Sequence, residues 1–540
     1  MKRLVALLLV LCMVFALAAC GGKDVDNTTD TSGDNAQSGG ADSGNDTGSD
    51  AAPGKDTLNV AYSQDRGTLD PCYNIGYDSL NALRLVYETL WDWNSKGEQE
   101  WILATGIEYV SDTVWHIKIR EGVKFTNGSD LTAEDVVFSI DKANNRKGEP
   151  AYLPYLDGAA TKVLDEYTVE FVLTQYDISY IYSMSSLPIF DKETYDEETI
   201  ALNPIGTGAY VLADYVVNSH MKFTLREDGG YWGEMPKIKN INFHMYTEDA
   251  QKTNALMTGD LDITGVPYQD VEYVEGLGTY TVYKSAASQA MTRTLYFNAT
   301  EYSSVFYNNP DARKAVAMAI DTQAIADIAY SGFATPARMG CSVDCIDAKE
   351  EYFDQGVYGT GYNPEEAKAL AEKAGIVGKT ISISTNGTSD AIVTAELIQA
   401  DLEAIGIHVE INNYDTGSWL SVAFSPANAG DLIVDFTAAP SQTVAQNLSC
   451  WYLYHLGGGY TTCPFEGKER FDQIAAVVMS TKDETVRDGM NSEMNVILND
   501  AMLWYNLCDL TTVTAYASGL EGFEIMVMGN INYAKLSWAN

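Results

Sequence analysis

The chain has 540 residues, 75 of them acidic against 34 basic, for a formal charge of −41. That balance repels phosphate backbones and anionic lipid headgroups, which argues against nucleic-acid binding and against electrostatic attachment to a membrane. The length exceeds what one hydrophobic core organises, so two or more lobes are expected.

Residues 1–19 read as a signal peptide: Lys2 and Arg3, an apolar run from Leu4 to Leu17, then small residues up to Cys20. The run is too short for a spanning helix with normal flanks. Leu17-Ala18-Ala19-Cys20 resembles the bacterial lipobox, and the resemblance implies that Cys20 is lipidated and becomes the first residue of an extracytoplasmic protein anchored to the cell membrane. Residues 20–56 then form a flexible linker, because Val25 is the one large apolar side chain between 21 and 55. Six cysteines remain: Cys72, Cys341, Cys345, Cys450, Cys463 and Cys508. An even count in an exported chain permits disulfides, with Cys341–Cys345 and Cys450–Cys463 the local pairs, or buried free thiols.

LNVAY (58–62) reads as the first strand, followed by a turn-rich loop and a helix from about Asp78 to Leu90. Trp115, Ile117 and Ile119 alternate with His116, Lys118 and Arg120, the period of a strand with one buried face. Asn127-Gly128 supplies a turn, and Thr132 stands three residues before Asp135, a capping-box start for a helix through Val136 and Ile140. YTVEFVL (167–173) is a further strand. In NPIGTGAYVLADYV (203–216) the glycines around Thr207 suit close backbone packing. The stretch is not a phosphate loop, since Ala209-Tyr210 stands where a lysine and a hydroxyl residue belong.

A helix over Thr247–Thr258 ends at Gly259. RTLYFNAT (293–300) opens a second lobe after a crossover near Ser285–Thr292. Asn309-Pro310 starts one helix through DARKAVAMAIDTQAIADIA, and Asn363-Pro364 another that closes at Gly375. TISIS, a helix through AELIQADLEAIG and the strand IHVEI form a strand-helix-strand unit, the mark of an α/β lobe. After a helix near Arg487–Asn499 the chain is expected to cross back near Trp504–Asn506.

The stretch VWHIKIREGVKFTNGSDLTAEDVVFSI (114–140) closely resembles the signature of the family 5 extracellular solute-binding proteins of ABC importers, and the elements at 68–90, 203–210 and 309–335 support the resemblance. It implies an α/β, two-lobed periplasmic-binding-protein-like fold of type II with mixed sheets and hinge crossovers. Lobe I would span 57–289 and 504–540, with 101–201 an extra subdomain, and lobe II would span 290–503. It also implies a monomer that closes on a peptide or other small solute and delivers it to permease subunits, with no cofactor. Cleft-facing candidates on this reading are Tyr62, Asp65, Tyr73, Asn74, Thr264, Asn298, Asp435 and Trp451.

Catalytic patterns are missing from the sequence. The histidines at 116, 220, 244, 408 and 455 do not pair at metal-ligand spacing, and no GxSxG elbow occurs, which argues against a zinc enzyme and leaves a secreted hydrolase as the lesser alternative. Peptide-binding family members carry a tryptophan and an aspartate in lobe II, the aspartate pairing with the ligand's ammonium. In DLIVDFTAAPSQT (431–443) an ungapped count places Thr437 and Pro440 at those positions. Proline offers no charge. Either Asp435 or another acid takes over, or the ligand is a blocked peptide, an oligosaccharide stacked on Trp451 or Trp419, or another polar solute. The lipobox is tested directly: Cys20→Ala is expected to move the protein out of the membrane fraction or leave it as uncleaved precursor, and unchanged fractionation would refute the anchor.

Overall fold

The computed structural model describes residues 55–63, 65, 67–72, 81–146, 152–153, 155–285, 291–345, 347–437, 443–526 and 529–539. Cys20, Tyr73, Asn74 and Pro440 lie outside them.

The alternating stretch forms the strand Val114–Ile119 with Trp115, Ile117 and Ile119 buried. It is a central strand of a four-stranded antiparallel sheet, in the order Ala104–Tyr109, Val114–Ile119, Thr168–Val172, Lys162–Asp165. The helix Ala133–Asn144 packs against this sheet. Its start is the expected capping box: Glu134 N–H donates to Thr132 Oγ1 (3.2 Å), and the Asp135 carboxylate accepts from Thr132 N–H (2.8 Å).

A seven-stranded mixed sheet gathers both ends of the described chain. Its order is Tyr280–Lys284, Val513–Ala517, Ile263–Gly265, Thr57–Tyr62, Asn240–Met245, His220–Leu225, Tyr210–Val216. Thr57–Tyr62 runs parallel to both of its neighbours, with Leu58 opposite Ile241 and Val60 opposite Phe243 and Ile263. The helix expected up to Leu90 stops early, at Leu83. The Leu85 and Val86 carbonyls instead accept from Tyr210 N–H (3.1 Å) and Gly208 N–H (2.9 Å). This contact explains the two glycines. A Cβ on Gly206 would sit 2.1 Å from Val86 O, and one on Gly208 would sit 2.4 Å from Leu85 O.

The second large sheet has six strands, Ala334–Pro336, Trp504–Leu510, Thr292–Phe297, Leu432–Thr437, Thr380–Thr385, His408–Asn413. Pro310 and Pro364 open helices as expected, capped by the side chains of Asn309 and Asn363. The single helix expected after Pro310 is two, Pro310–Ala319 and Thr322–Ile328, because Ile320 is extended and the Asp321 carboxylate caps the second by accepting from Ala324 N–H (3.0 Å). The return crossing also moves. Trp504–Leu510 pairs with Thr292–Phe297 in this sheet, so the chain changes sheets at Thr511–Thr512 rather than near Trp504–Asn506. Ser285 on the outgoing crossing donates its N–H to Thr512 O (2.9 Å), and Thr512 N–H donates back to Ser285 Oγ (2.9 Å).

The six described cysteines stand as thiols, all buried except the half-buried Cys450. Cys463 Sγ points at the Ala299 carbonyl (2.8 Å). No helix among the described residues is long and apolar enough to cross a membrane.

Overpacking a tight backbone contact costs about 1–3 kcal/mol. Gly206→Ala is therefore expected to lower the unfolding free energy of the exported protein, read from urea denaturation, by that amount. Gly106→Ala, where a Cβ would meet nothing within 4 Å, should stay within about 0.5 kcal/mol of wild type.

Candidate functional site

Ligands of open α/β sheets settle outside the carboxyl ends of the strands. In the first sheet the parallel strands end at Tyr62, Met245 and Gly265, and Gly265 is paired with Thr514 beside the return crossing. In the second, the parallel strands end at Thr385, Asn413 and Thr437, and Thr437 is paired with Thr292 beside the outgoing crossing. Both sets of strand ends thus face the crossovers, and the space between them is the cleft.

On one face of the second sheet stands Arg293, wholly buried at the head of its strand. Its Nε donates to Tyr330 Oη (2.6 Å), its Nη2 pairs with the Asp390 carboxylate, and the guanidinium lies 3.7 Å over the Phe436 ring. Burial works to raise the Asp390 carboxyl, but the Arg293 guanidinium outweighs it and holds the group below the usual carboxylate range. The Arg293 Nη1 has no hydrogen-bond partner among the described residues. Tyr268 comes to this cluster from the other lobe, its ring 5.1 Å from that of Tyr330.

The opposite face carries Thr294, Tyr296, Asp435 and Thr437, with Thr294 directly opposite Asp435. Asp435 is half-buried. Burial pushes its carboxyl up to about 6, against the Phe436 backbone N–H, the Arg293 charge and a hydrogen bond from Trp419. Around it stand aromatic rings. Tyr296 stacks on His455 with centroids 3.6 Å apart, and Trp451 is 5.8 Å from Tyr296. Burial drives His455 down to about 3, so its imidazole is neutral, and neither ring nitrogen has a partner among the described residues. Towards the crossovers the face becomes polar: Thr294 Oγ1 donates to Asn506 Oδ1 (2.7 Å) and Thr292 Oγ1 to Asp509 Oδ1 (2.6 Å).

A cavity of about 540 Å³ lies between the four-stranded insert and the second lobe. Tyr176, Asp177 and Tyr182 line one wall and Asp347, Thr443 and Arg487 the other. The two walls touch beside it. Ile178 N–H donates to Met479 O (3.1 Å), Lys482 pairs with Asp112, and its ammonium lies 5.0 Å over Tyr176. Nearer the first sheet, Ser389 Oγ donates to Asp249 Oδ2 across the cleft (3.0 Å).

Of the residues expected here, Asp435 and Trp451 are brought together around Tyr296. Tyr62 ends its strand at the cleft edge and is buried. Asp65 instead ties its loop down, accepting from Tyr215 Oη (2.8 Å) and from the N–H groups of Asn218 (2.7 Å) and Gly67 (2.8 Å). Thr264 is buried between strands, opposite Ala515. Asn298 lies at the far end of its strand and organises a loop through the Pro426 (2.8 Å) and Gly430 (2.7 Å) carbonyls. Arg293 and Tyr296 were missed. A lone charge heading an otherwise fully buried strand was the available signal for Arg293.

Residues 100–452 match the family model described as bacterial extracellular solute-binding proteins, family 5 middle. The glutathione-binding protein GsiB of Salmonella typhi is 26% identical over 500 residues, covering 88% of this chain and 93% of that protein. Its counterpart in Shigella dysenteriae is 24% identical over 489 residues, covering 86% and 91%. Two solved structures share the fold. The oligopeptide-binding protein AppA from Bacillus subtilis, in complex with a nonapeptide, superposes with a TM-score of 0.79 at 18% identity over 90% of this chain and 100% of that one. NikA from Brucella suis, in complex with Fe(III)-EDTA, gives 0.77 at 21% identity over 89% and 99%.

Removing one partner of a buried ion pair strands the other, at a cost of about 3–5 kcal/mol. Asp390→Ala is expected to lower unfolding stability by that amount near neutral pH. The contribution of a carboxyl held low in the folded state is present above its unfolded value and lost as pH falls through the folded one, so the deficit should shrink in acid. A deficit unchanged between neutral pH and pH 3 would contradict the assignment.

Proposed function

Because this chain belongs to the bacterial extracellular solute-binding proteins of family 5, we propose that it captures a peptide or peptide-like solute between its two lobes, bound through a cationic end at Asp435, and delivers it to the permease subunits of an ABC importer. It is a binding protein of an extracytoplasmic compartment, not an enzyme. The lipid on Cys20 and the linker behind it would keep a monomer within reach of the permease.

The observation that carries this reading is the environment of Asp435. Its carboxyl is deep enough to be pushed up to about 6, and the Arg293 charge that acts on it lies on the other face of the sheet, committed to Asp390. A ligand ammonium would supply the charge partner that this face lacks, and the rings of Tyr296 and Trp451 would add cation–π attraction. Related proteins fit this chemistry: GsiB is named for glutathione, and AppA holds a nonapeptide. Oligosaccharide stacking is less favoured, because Trp419 is buried and donates to Asp435.

The test is calorimetry on one peptide series with free and acetylated amino termini. Free forms are expected to bind at least tenfold tighter, and equal affinity would overturn the reading. The attraction needs the ionised carboxylate, so it is full above about pH 6 and declines as pH falls through that value, up to tenfold per unit. Asp435→Asn should abolish both the preference for free amines and this pH dependence.

A further inference from the structure

The strap between the strand Ala334–Pro336 and the short helix Glu350–Tyr352 supplies Asp347 and Lys349 to the cavity wall. It is tied to the second sheet by Trp504 Nε1, which donates to Gly340 O (2.7 Å), and by Asn506 Nδ2, which donates to Met339 O (3.1 Å). A turn follows in which Cys345 N–H donates to Ser342 O (3.2 Å). This turn carries Cys345 back towards Cys341, and the two thiols share one hydrophobic cluster and act on each other's ionisation. The other described cysteines have different company. Cys463 and Cys508 point at the carbonyls of Ala299 and Thr322, and Cys72 has Tyr195 and Asp70 as its polar neighbours.

We propose that Cys341 and Cys345 are an oxidation site, joined as the exported chain folds into a disulfide that staples this strap beside the solute cavity. The proposal rests on the extracytoplasmic reading, where thiol–disulfide oxidants operate. One cysteine thiolate attacks the disulfide of such an oxidant, breaking its S–S bond and forming a mixed disulfide. The second thiolate attacks the protein sulfur of that intermediate and expels the oxidant's other thiolate. The protein loses two protons and two electrons, and the oxidant leaves as a dithiol.

Burial sets the timing. Cys341 is wholly buried and its thiol is pushed well up, so the folded chain offers little thiolate. Oxidation belongs to the unseated strap, and the finished bond is shielded from reductants. Two residues beyond the ring, the Asp347 carboxylate accepts from Val444 N–H (2.7 Å) and Asn491 Nδ2 (2.9 Å), which places the helix Val444–Tyr454 that carries Trp451. The staple therefore acts on the position of the binding crevice.

The experiment is peptide mass mapping of full-length protein recovered from its exported location, alkylated under denaturing conditions without reductant. The expected result is a Cys341–Cys345 link with Cys72, Cys450, Cys463 and Cys508 alkylated. Alkylation of both Cys341 and Cys345, or a link from either to another cysteine, overturns the proposal. This readout needs no ligand, so it fails independently of the solute assignment. The double variant C341S/C345S is further expected to bind the free-amine peptides a few-fold more weakly than oxidised wild type and equally to reduced wild type. Equal binding by all three would overturn the coupling to the crevice.

Discussion

Everything in this molecule hangs on the paired crossing between the two large sheets. Ser285, where the outgoing chain leaves the first sheet, and Thr512 on the return lie side by side and exchange two hydrogen bonds. Because strands reach the crossing from both sheets, their carboxyl ends are brought to face each other. The cleft follows from connectivity before any side chain is considered. Hinge motion in such a molecule is confined to the few residues of these crossings.

The antiparallel strands Thr292–Phe297 and Leu432–Thr437 divide the electrostatic work between their two faces. Arg293 is paired on one face, and among the described residues no cation pairs with Asp435 on the other. Strand alternation makes this separation automatic: residues one apart in sequence point to opposite sides, so a charge and its neighbour's countercharge cannot neutralise each other directly. Pairing the arginine with Asp390 stabilises the lobe, while the acid on the other face is poised for an incoming charge. Buried groups that cost the free protein something are common at sites of function.

Much of the fold was legible because its signals are local. The alternation around Trp115, the Thr132–Asp135 capping box and the Asn-Pro helix starts depend on a handful of adjacent residues, and the structure reproduces them. The close packing at Gly206 and Gly208 was also visible, as two glycines flanking Thr207, although the partner at Leu85–Val86 was not. What failed depended on distant segments. The helix after Leu83 gives way to pairing with a strand more than a hundred residues later, and Asp65 is claimed by Tyr215 and Asn218. The site was half legible for the same reason. Asp435 and Trp451 lie on one short stretch of chain, whereas Arg293, Asp390, Tyr330 and Tyr268 meet only through the topology.

The contact between the insert and the second lobe bears on how fast a solute can come and go. It lies at the rim, where Lys482 and Asp112 are 47% and 62% exposed. An ion pair so well hydrated holds with no more than about 1 kcal/mol and weakens further as salt screens it. A single backbone hydrogen bond, Ile178 to Met479, adds a comparable amount. This rim contact between the insert and the second lobe is thus too light a latch to delay entry, and the residence time of a bound solute is set by what the solute itself grips.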